Sequence, residues 1–273
     1  MSTDLDAVPD RQWTRDELAS YLEKHFLSGS LPAGAPLPSE RALCEAFGAS
    51  RPFVREVLIG LQQRGRIEIR PGRGAFVREV GVSDVARAMR ESGPVRAATP
   101  RTLVEARLTL EKQTAALAAV RATPQQLTVI ERALAAFDAS EHLIERARAD
   151  IAFHLLIARA SGNPVLETMF GSIATLVFEL MLKSLGDPGT SRQGIPYHHD
   201  ILRALKEHDA AAAVAAVAAH IGLAEQTFGE DYDTRLDMIA KREVQRALGH
   251  DAPVDSIISA ALEEFTSEDR RGR

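Results

Sequence analysis

Residues 37–77 read LPSERALCEAFGASRPFVREVLIGLQQRGRIEIRPGRGAFV. Ser39 is placed to cap a helix, and Leu43, Cys44 and Phe47 follow at the spacing of one helical face. Gly48 ends that helix, and Ser50 caps the next. Val54, Val57, Leu58 and Leu61 then face inward, while Arg51 and Arg55 lie one turn apart on the outside. Helix, short glycine turn, helix is the helix-turn-helix layout, and the small Cys44 lets the two helices approach near the turn. After Gly65, Ile67 and Ile69 alternate with Glu68 and Arg70, PGRG turns, and Ala75, Phe76 and Val77 return. This predicts a two-stranded hairpin with Arg73 at its tip. Upstream, Thr14 caps a helix with Leu18, Tyr21, Leu22 and Phe26 on one face, which the Gly- and Pro-rich SGSLPAGAPLP ends.

The surrounding chain has a different character. Its 273 residues are 45% hydrophobic and 26% charged, the make-up of a soluble globular protein of about two domains. That composition excludes disorder, collagen and a disulfide-stapled miniprotein. The lone Cys44 allows no internal disulfide and fits a reducing compartment. The first ten residues, MSTDLDAVPD, carry acids where a signal peptide carries basic residues, so a cytoplasmic chain is expected. The longest uncharged apolar run, Ala210 to Ala219, is shorter than the roughly 18 residues that cross a bilayer, so no membrane association is expected. Net charge is −5, but residues 39–78 hold eight arginines (41, 51, 55, 64, 66, 70, 73, 78) against four glutamates (40, 45, 56, 68). The difference, 8 − 4, is +4, which leaves −9 for the rest. An arginine island on an acidic body suggests one surface for a polyanion and a separate body with another task.

Residues 79–99 contain a short helical stretch, Val82 to Met89, followed by Gly93-Pro94, and read as a connector. From Pro100 onward the pattern is helical almost to the end. Leu103, Ala106, Leu110, Leu117 and Val120 are expected inside one helix, and TPQQ at 123–126 starts the next with a capping box. Further helices are expected at 141–160, 164–185, 193–207 and 209–228, with two more amphipathic helices beyond 229. The fold class is mainly α: an N-terminal winged helix-turn-helix with a small β-hairpin, and a C-terminal antiparallel all-α helical bundle. The expected divisions are a DNA-binding domain at 10–79, a linker at 80–99, an effector domain at 100–228 and a helical extension at 229–273.

Asp150 and His154 in ADIAFHLL share one helix face. Two later helices joined by a short turn at His208-Asp209 place His220 at the same height as His198 or its neighbour His199, which spacing does not separate. Three imidazoles and a carboxylate suit a divalent metal, Zn²⁺ first, with Ni²⁺ or Mn²⁺ as alternatives. Each histidine alone reads equally as an ordinary core or surface residue. Arg107, one turn before Glu111, is positioned either to bind an acid group or to pair internally with Glu111.

The 37–77 stretch closely resembles the DNA-binding domain of the GntR family of bacterial transcription regulators, through LPSER, the SR…VRE core and PGRGAFV. By that resemblance Arg41, Arg51, Arg55 and Arg73 contact phosphate or bases, Gly72 donates a backbone N–H from the wing, and Ser50 is counted with them. Pro52-Phe53 departs from the family's usual residues, and Pro52 lacks a side-chain donor for a base. RTLVEARLTLE (101–111), ADIAFHLLIARASGN (149–163) and HHDILRAL…AAH (198–220) resemble the FCD effector domain of the FadR subfamily. That resemblance implies a metal held by Asp150, His154, His198 and His220, selects His198 over His199, and implies a small carboxylic-acid effector with Arg107 as its contact. The expected protein is a ligand-responsive regulator, a repressor, binding double-stranded DNA at a palindromic operator as a homodimer. The alternative is a metal-dependent enzyme using the same Asp/His₃ set.

Overall fold

The computed structural model describes residues 11–27, 30–78, 82–249 and 254–266. The chain divides into two compact units, Met1–Gly81 and Val82–Arg273.

In the first unit, α1 (Arg15–Leu22) is opened by a reciprocal capping box between Thr14 and Glu17 and runs into a π-helical turn, Glu23–Leu27. Helix α2 (Glu40–Phe47) starts at Ser39, whose side chain accepts from the Ala42 N–H, and ends at Gly48 with φ 58°. That left-handed conformation is why glycine stands in the turn. Helix α3 (Arg51–Gln63) begins at Ser50, whose side chain accepts from Phe53 N–H. Strands β1 (Ile67–Arg70) and β2 (Gly74–Val77) pair antiparallel with Ile67 opposite Val77 and Arg70 opposite Gly74. The Gly- and Pro-rich segment before α2 pairs with the other edge of β2: Leu37 N–H donates to Ala75 O at 2.8 Å and Val77 N–H to Ala35 O at 2.8 Å. Leu18, Leu22, Leu43, Val54, Leu61 and Ile67 close the core of this unit.

The second unit is helical throughout its described residues: α4 (Val82–Glu91), α5 (Gly93–Arg96), α6 (Pro100–Arg121), α7 (Pro124–Ala139), α8 (Leu143–Ala160), α9 (Pro164–Gly186), α10 (Pro188–Lys206), α11 (Ala210–Gly222), α12 (Ala224–Phe228), a 3₁₀ turn (Gly229–Asp233), α13 (Leu236–Leu248) and α14 (Val254–Thr266). Consecutive long helices α7, α8 and α9 pack side by side, and α11 lies along α6. Helix α9 is long and apolar enough to cross a membrane by composition, but 72% of its apolar window is buried inside this unit, so it serves as the bundle's central helix.

The short helix expected from Val82 to Met89 forms as α4 and packs on α9. Its contact needs Gly171, because a Cβ there would sit 2.5 Å from Val82 Cγ1. Three other expectations are corrected. On α6 Val120 is 69% exposed and Leu117 only half-buried; the buried stripe instead runs through Leu103, Arg107, Leu110, Glu111, Thr114, Ala115 and Ala118. Polar residues within the inner face obscured its register. Helix α10 begins earlier than the expected residue 193 and carries Pro196 inside it. The helix expected at 209–228 breaks after Gly222 into α11 and α12.

Candidate metal centre and nucleic-acid surface

Helix α8 carries Asp150 and His154 one turn apart, α10 supplies His198 and α11 supplies His220. The short turn between α10 and α11 is closed by Asp209, whose side chain accepts from Ala212 N–H, and by His208, whose Nδ1 lies 2.8 Å from Ala119 O. It brings His198 and His220 to a ring separation of 4.2 Å, with His154 5.1 Å from His220. One potential ligand atom from each of Asp150, His154, His198 and His220 lies within 4.8 Å of every other. Asp150 Oδ1 is 2.7 Å from His198 Nε2 and 3.5 Å from His154 Nε2. Asp150, His154 and His198 are buried and His220 is half-buried. His199, the neighbour that spacing did not separate, points to the exposed Asp138 at 3.1 Å.

The donor set fits a divalent cation. His154 Nε2, His198 Nδ1 and His220 Nδ1 are buried ring nitrogens without a hydrogen-bond partner, an arrangement that burial ordinarily penalises. Three imidazoles and one carboxylate are borderline nitrogen and oxygen donors of the kind that hold Zn²⁺ and its first-row neighbours.

Around these residues, α6 contributes an ion pair that sequence spacing only half revealed. Arg107 Nε donates to Glu111 Oε1 at 2.7 Å, and both side chains are buried. The other carboxylate oxygen, Oε2, lies 2.6 Å from His154 Nδ1. Nothing local in the sequence marks that contact, because its partner is 43 positions away on another helix (154 − 111). Burial pushes the Glu111 carboxyl up, but Arg107 and His154 outweigh it and hold the group at about 2. Burial pushes His154 down, while Glu111 and Asp150 raise it to about 9. Burial likewise works against ionised Asp150, yet His198 and His154 hold it well below the usual carboxylate range. His220 is pushed well below the usual imidazole range by burial and by the two neighbouring histidines.

A small cavity of about 60 Å³ adjoins the quartet, with Arg107, Asp150, His198 and His220 on its polar side. Phe137, Met181, Leu185 and Ile221 line its apolar side, and Leu223, Ala224 and Thr227 of the α11–α12 break complete it. Arg107 Nη2 is buried and has no partner, so one guanidinium edge is committed to Glu111 and the other retains donor capacity beside the cavity.

In the first unit the expected DNA-facing residues are all exposed. Ser50 and Arg51 start α3, Arg55 follows one turn later, Arg41 is on α2, and Gly72 and Arg73 form the hairpin turn. Gly72 has φ 71°, a backbone state that favours glycine. Arg41 pairs with Glu45 at 2.8 Å and Arg55 approaches Glu40 at 3.9 Å, both on open surface where such pairs contribute little and exchange readily. Ser50 Oγ is engaged as the α3 cap but keeps its O–H.

Residues 14–77 match the family described as bacterial regulatory proteins, gntR family, and residues 102–223 match the FCD domain. The chain is 37% identical over 180 residues to the Glc operon transcriptional activator of Escherichia coli, covering 62% of this chain and 69% of that protein. It is 32% identical over 202 residues to the HTH-type transcriptional regulator LutR of Bacillus subtilis, covering 71% and 91%. The Galactonate operon transcriptional repressor of Escherichia coli is 32% identical over 210 residues, covering 72% and 89%. A solved structure titled Streptococcus agalactiae GntR superposes with a TM-score of 0.58 at 26% identity, over 78% of this chain and 100% of that one. These relatives are regulators, and the metalloenzyme alternative gains no support from them. With its winged helix-turn-helix joined to an FCD effector domain, the chain is a DNA-binding transcription regulator of the GntR family, in the FCD-containing FadR subfamily.

Proposed function

We propose that this regulator senses a small organic acid at a divalent metal held by Asp150, His154, His198 and His220, and that the acid releases it from DNA. The supporting observation is the shared cavity: Asp150, His198 and His220 of the quartet on one wall, and the unpartnered Nη2 of buried Arg107 beside them. Four protein ligands leave room in the shell of a metal that accepts five or six. A bound carboxylate, or a 2-hydroxy-carboxylate that chelates, fills that room while a second acidic oxygen takes Arg107. Zn²⁺ is the first choice of metal, ahead of Ni²⁺ or Mn²⁺. Relatives named for the galactonate operon and, as putative, for an L-lactate dehydrogenase operon accord with a 2-hydroxy acid.

The DNA-binding surface comprises Arg41, Ser50, Arg51, Arg55, Gly72 and Arg73, with α3 in the major groove and the hairpin reaching phosphate or the minor groove. One recognition helix reads few base pairs, so a homodimer on a palindromic operator supplies the specificity. Val82, Val85 and Met89 form an exposed apolar stripe on α4, a surface suited to self-association. The protein acts in the cytoplasm, without membrane contact. Relatives carry both activator and repressor in their names, and repression relieved by effector is the sign proposed here.

Elemental analysis of the purified protein with thermal shifts against a panel of carboxylic acids tests this. One metal per chain and a shift with one acid, lost after chelation, are expected. A metal-free protein that gives no shift with any acid would sink the reading.

A further inference from the structure

Buried Glu111 touches both a candidate metal ligand, His154, and the candidate anion contact, Arg107. It sits on α6, only 4% exposed, with one carboxylate oxygen 2.7 Å from Arg107 Nε and the other 2.6 Å from His154 Nδ1. Arg107 Nε always carries a proton, so Oε1 always meets a donor. At 2.6 Å the ionised carboxylate favours a proton on Nδ1 over a bare lone pair there, although the N–H is not aligned on Oε2 as a hydrogen bond. The lone pair of a neutral His154 is thereby confined to Nε2, the nitrogen on the Asp150 side, 3.5 Å from Oδ1.

We infer that Glu111 is the positioning residue of this site: it fixes the His154 tautomer that presents Nε2 to a metal, and is itself anchored by Arg107. The inference rests on the metal reading above and names a residue that acts without contacting the metal. Carboxylate partners of this kind orient metal-bound imidazoles and strengthen them as ligands. Only a carboxylate meets the geometry here. Glutamine has one acceptor and one NH₂, so one of the two facing N–H donors would meet another donor. The cheapest relief is for His154 to move its proton to Nε2, which blocks the nitrogen the metal requires.

The full-length protein, stripped with a chelator and titrated with Zn²⁺ against a chromophoric competitor, tests this in wild type and Glu111→Gln. The variant should bind Zn²⁺ about 10- to 100-fold more weakly. With Co²⁺ its visible bands should shift, because His154 no longer ligates in one orientation. Circular dichroism checks that the variant is folded. Independently of any variant, wild-type protein labelled with ¹⁵N-histidine and loaded with ¹¹³Cd²⁺ should show metal coupling at His154 Nε2 and a proton on Nδ1. Equal Zn²⁺ affinity with unchanged Co²⁺ bands, or cadmium coupling at Nδ1, overturns the role of Glu111 while leaving the metal reading intact. A wild-type protein that binds no metal overturns both.

Discussion

Val82 and Gly171 touch so closely that a single added methyl would not fit: a Cβ on Gly171 would lie 2.5 Å from Val82 Cγ1. Helix α4 therefore rests on α9 at a contact specified by glycine. A second tie lies eight residues further along each helix, where Arg90 Nη1 donates to Glu179 Oε1 at 3.3 Å (90 − 82 and 179 − 171). The two helices thus run parallel, and α4 is the first helix after the DNA-binding unit in the chain.

Replacing Gly171 with alanine should push α4 off α9. Overpacking of this kind costs about 1–3 kcal/mol. Thermal unfolding should show a lowered Tm with helix content retained. An unchanged Tm would mean that Val82 moves aside without cost.

His154→Ala removes a central ligand and should empty the metal site while operator binding is partly retained, because the arginines lie in the other unit. Metal analysis after dialysis is the readout. Full occupancy in this variant would reject the quartet.

Arg107→Met removes the proposed acid contact together with the anchor of Glu111. The variant should hold metal more weakly than wild type and, when loaded with excess metal, lose about 1.5–3 kcal/mol of affinity for a carboxylate probe, the contribution of a hydrogen bond to a charged group. Calorimetric titration measures both. Undiminished acid affinity would place the anion elsewhere.

Arg51→Ala and Arg55→Ala should each weaken operator binding by about 1–3 kcal/mol where they read bases. Log affinity of the wild type should fall linearly with log salt, and removing a phosphate contact should flatten that slope by about one unit. A salt-independent affinity would argue against the arginine face.

The first unit was legible because its signals are local. Ser39, Gly48 and Ser50 mark helix ends within a few residues of the apolar positions they frame, and the hairpin is set by PGRG. The pairing of residues 34–37 with β2 was not legible, since a Pro- and Gly-rich segment carries no alternation to announce an edge. Asp150 and His154 were visible as a one-turn pair, but spacing alone did not separate His198 from His199; the resemblance chose His198, which is the buried one of the two. The inner face of α6 misled for the opposite reason: Arg107, Glu111 and Thr114 occupy buried positions where a period search seeks apolar residues, and Val120 lies outside. A polar side chain facing inward betrays its partner only in three dimensions, and for Glu111 that partner is on another helix.

Helix α6 carries both Arg107 and Glu111, beside the site, and the place where the C-terminal segment is fastened. Near its start, Arg101 holds Asp233 through two hydrogen bonds of 2.7 and 2.8 Å, and Leu236 N–H donates to Ala98 O just before it. Ten residues later, about 15 Å along the axis, stands Glu111. An α-helix is stiff along its length, so α6 will pass a displacement at Arg107 to Arg101 as tilt or sliding rather than absorb it. The fastening closes a ring: α12 borders the cavity, leads through the 3₁₀ turn to Asp233, and returns by Arg101 to the helix that bears Arg107. A ligand entering that cavity would press on a closed loop of structure instead of a free end.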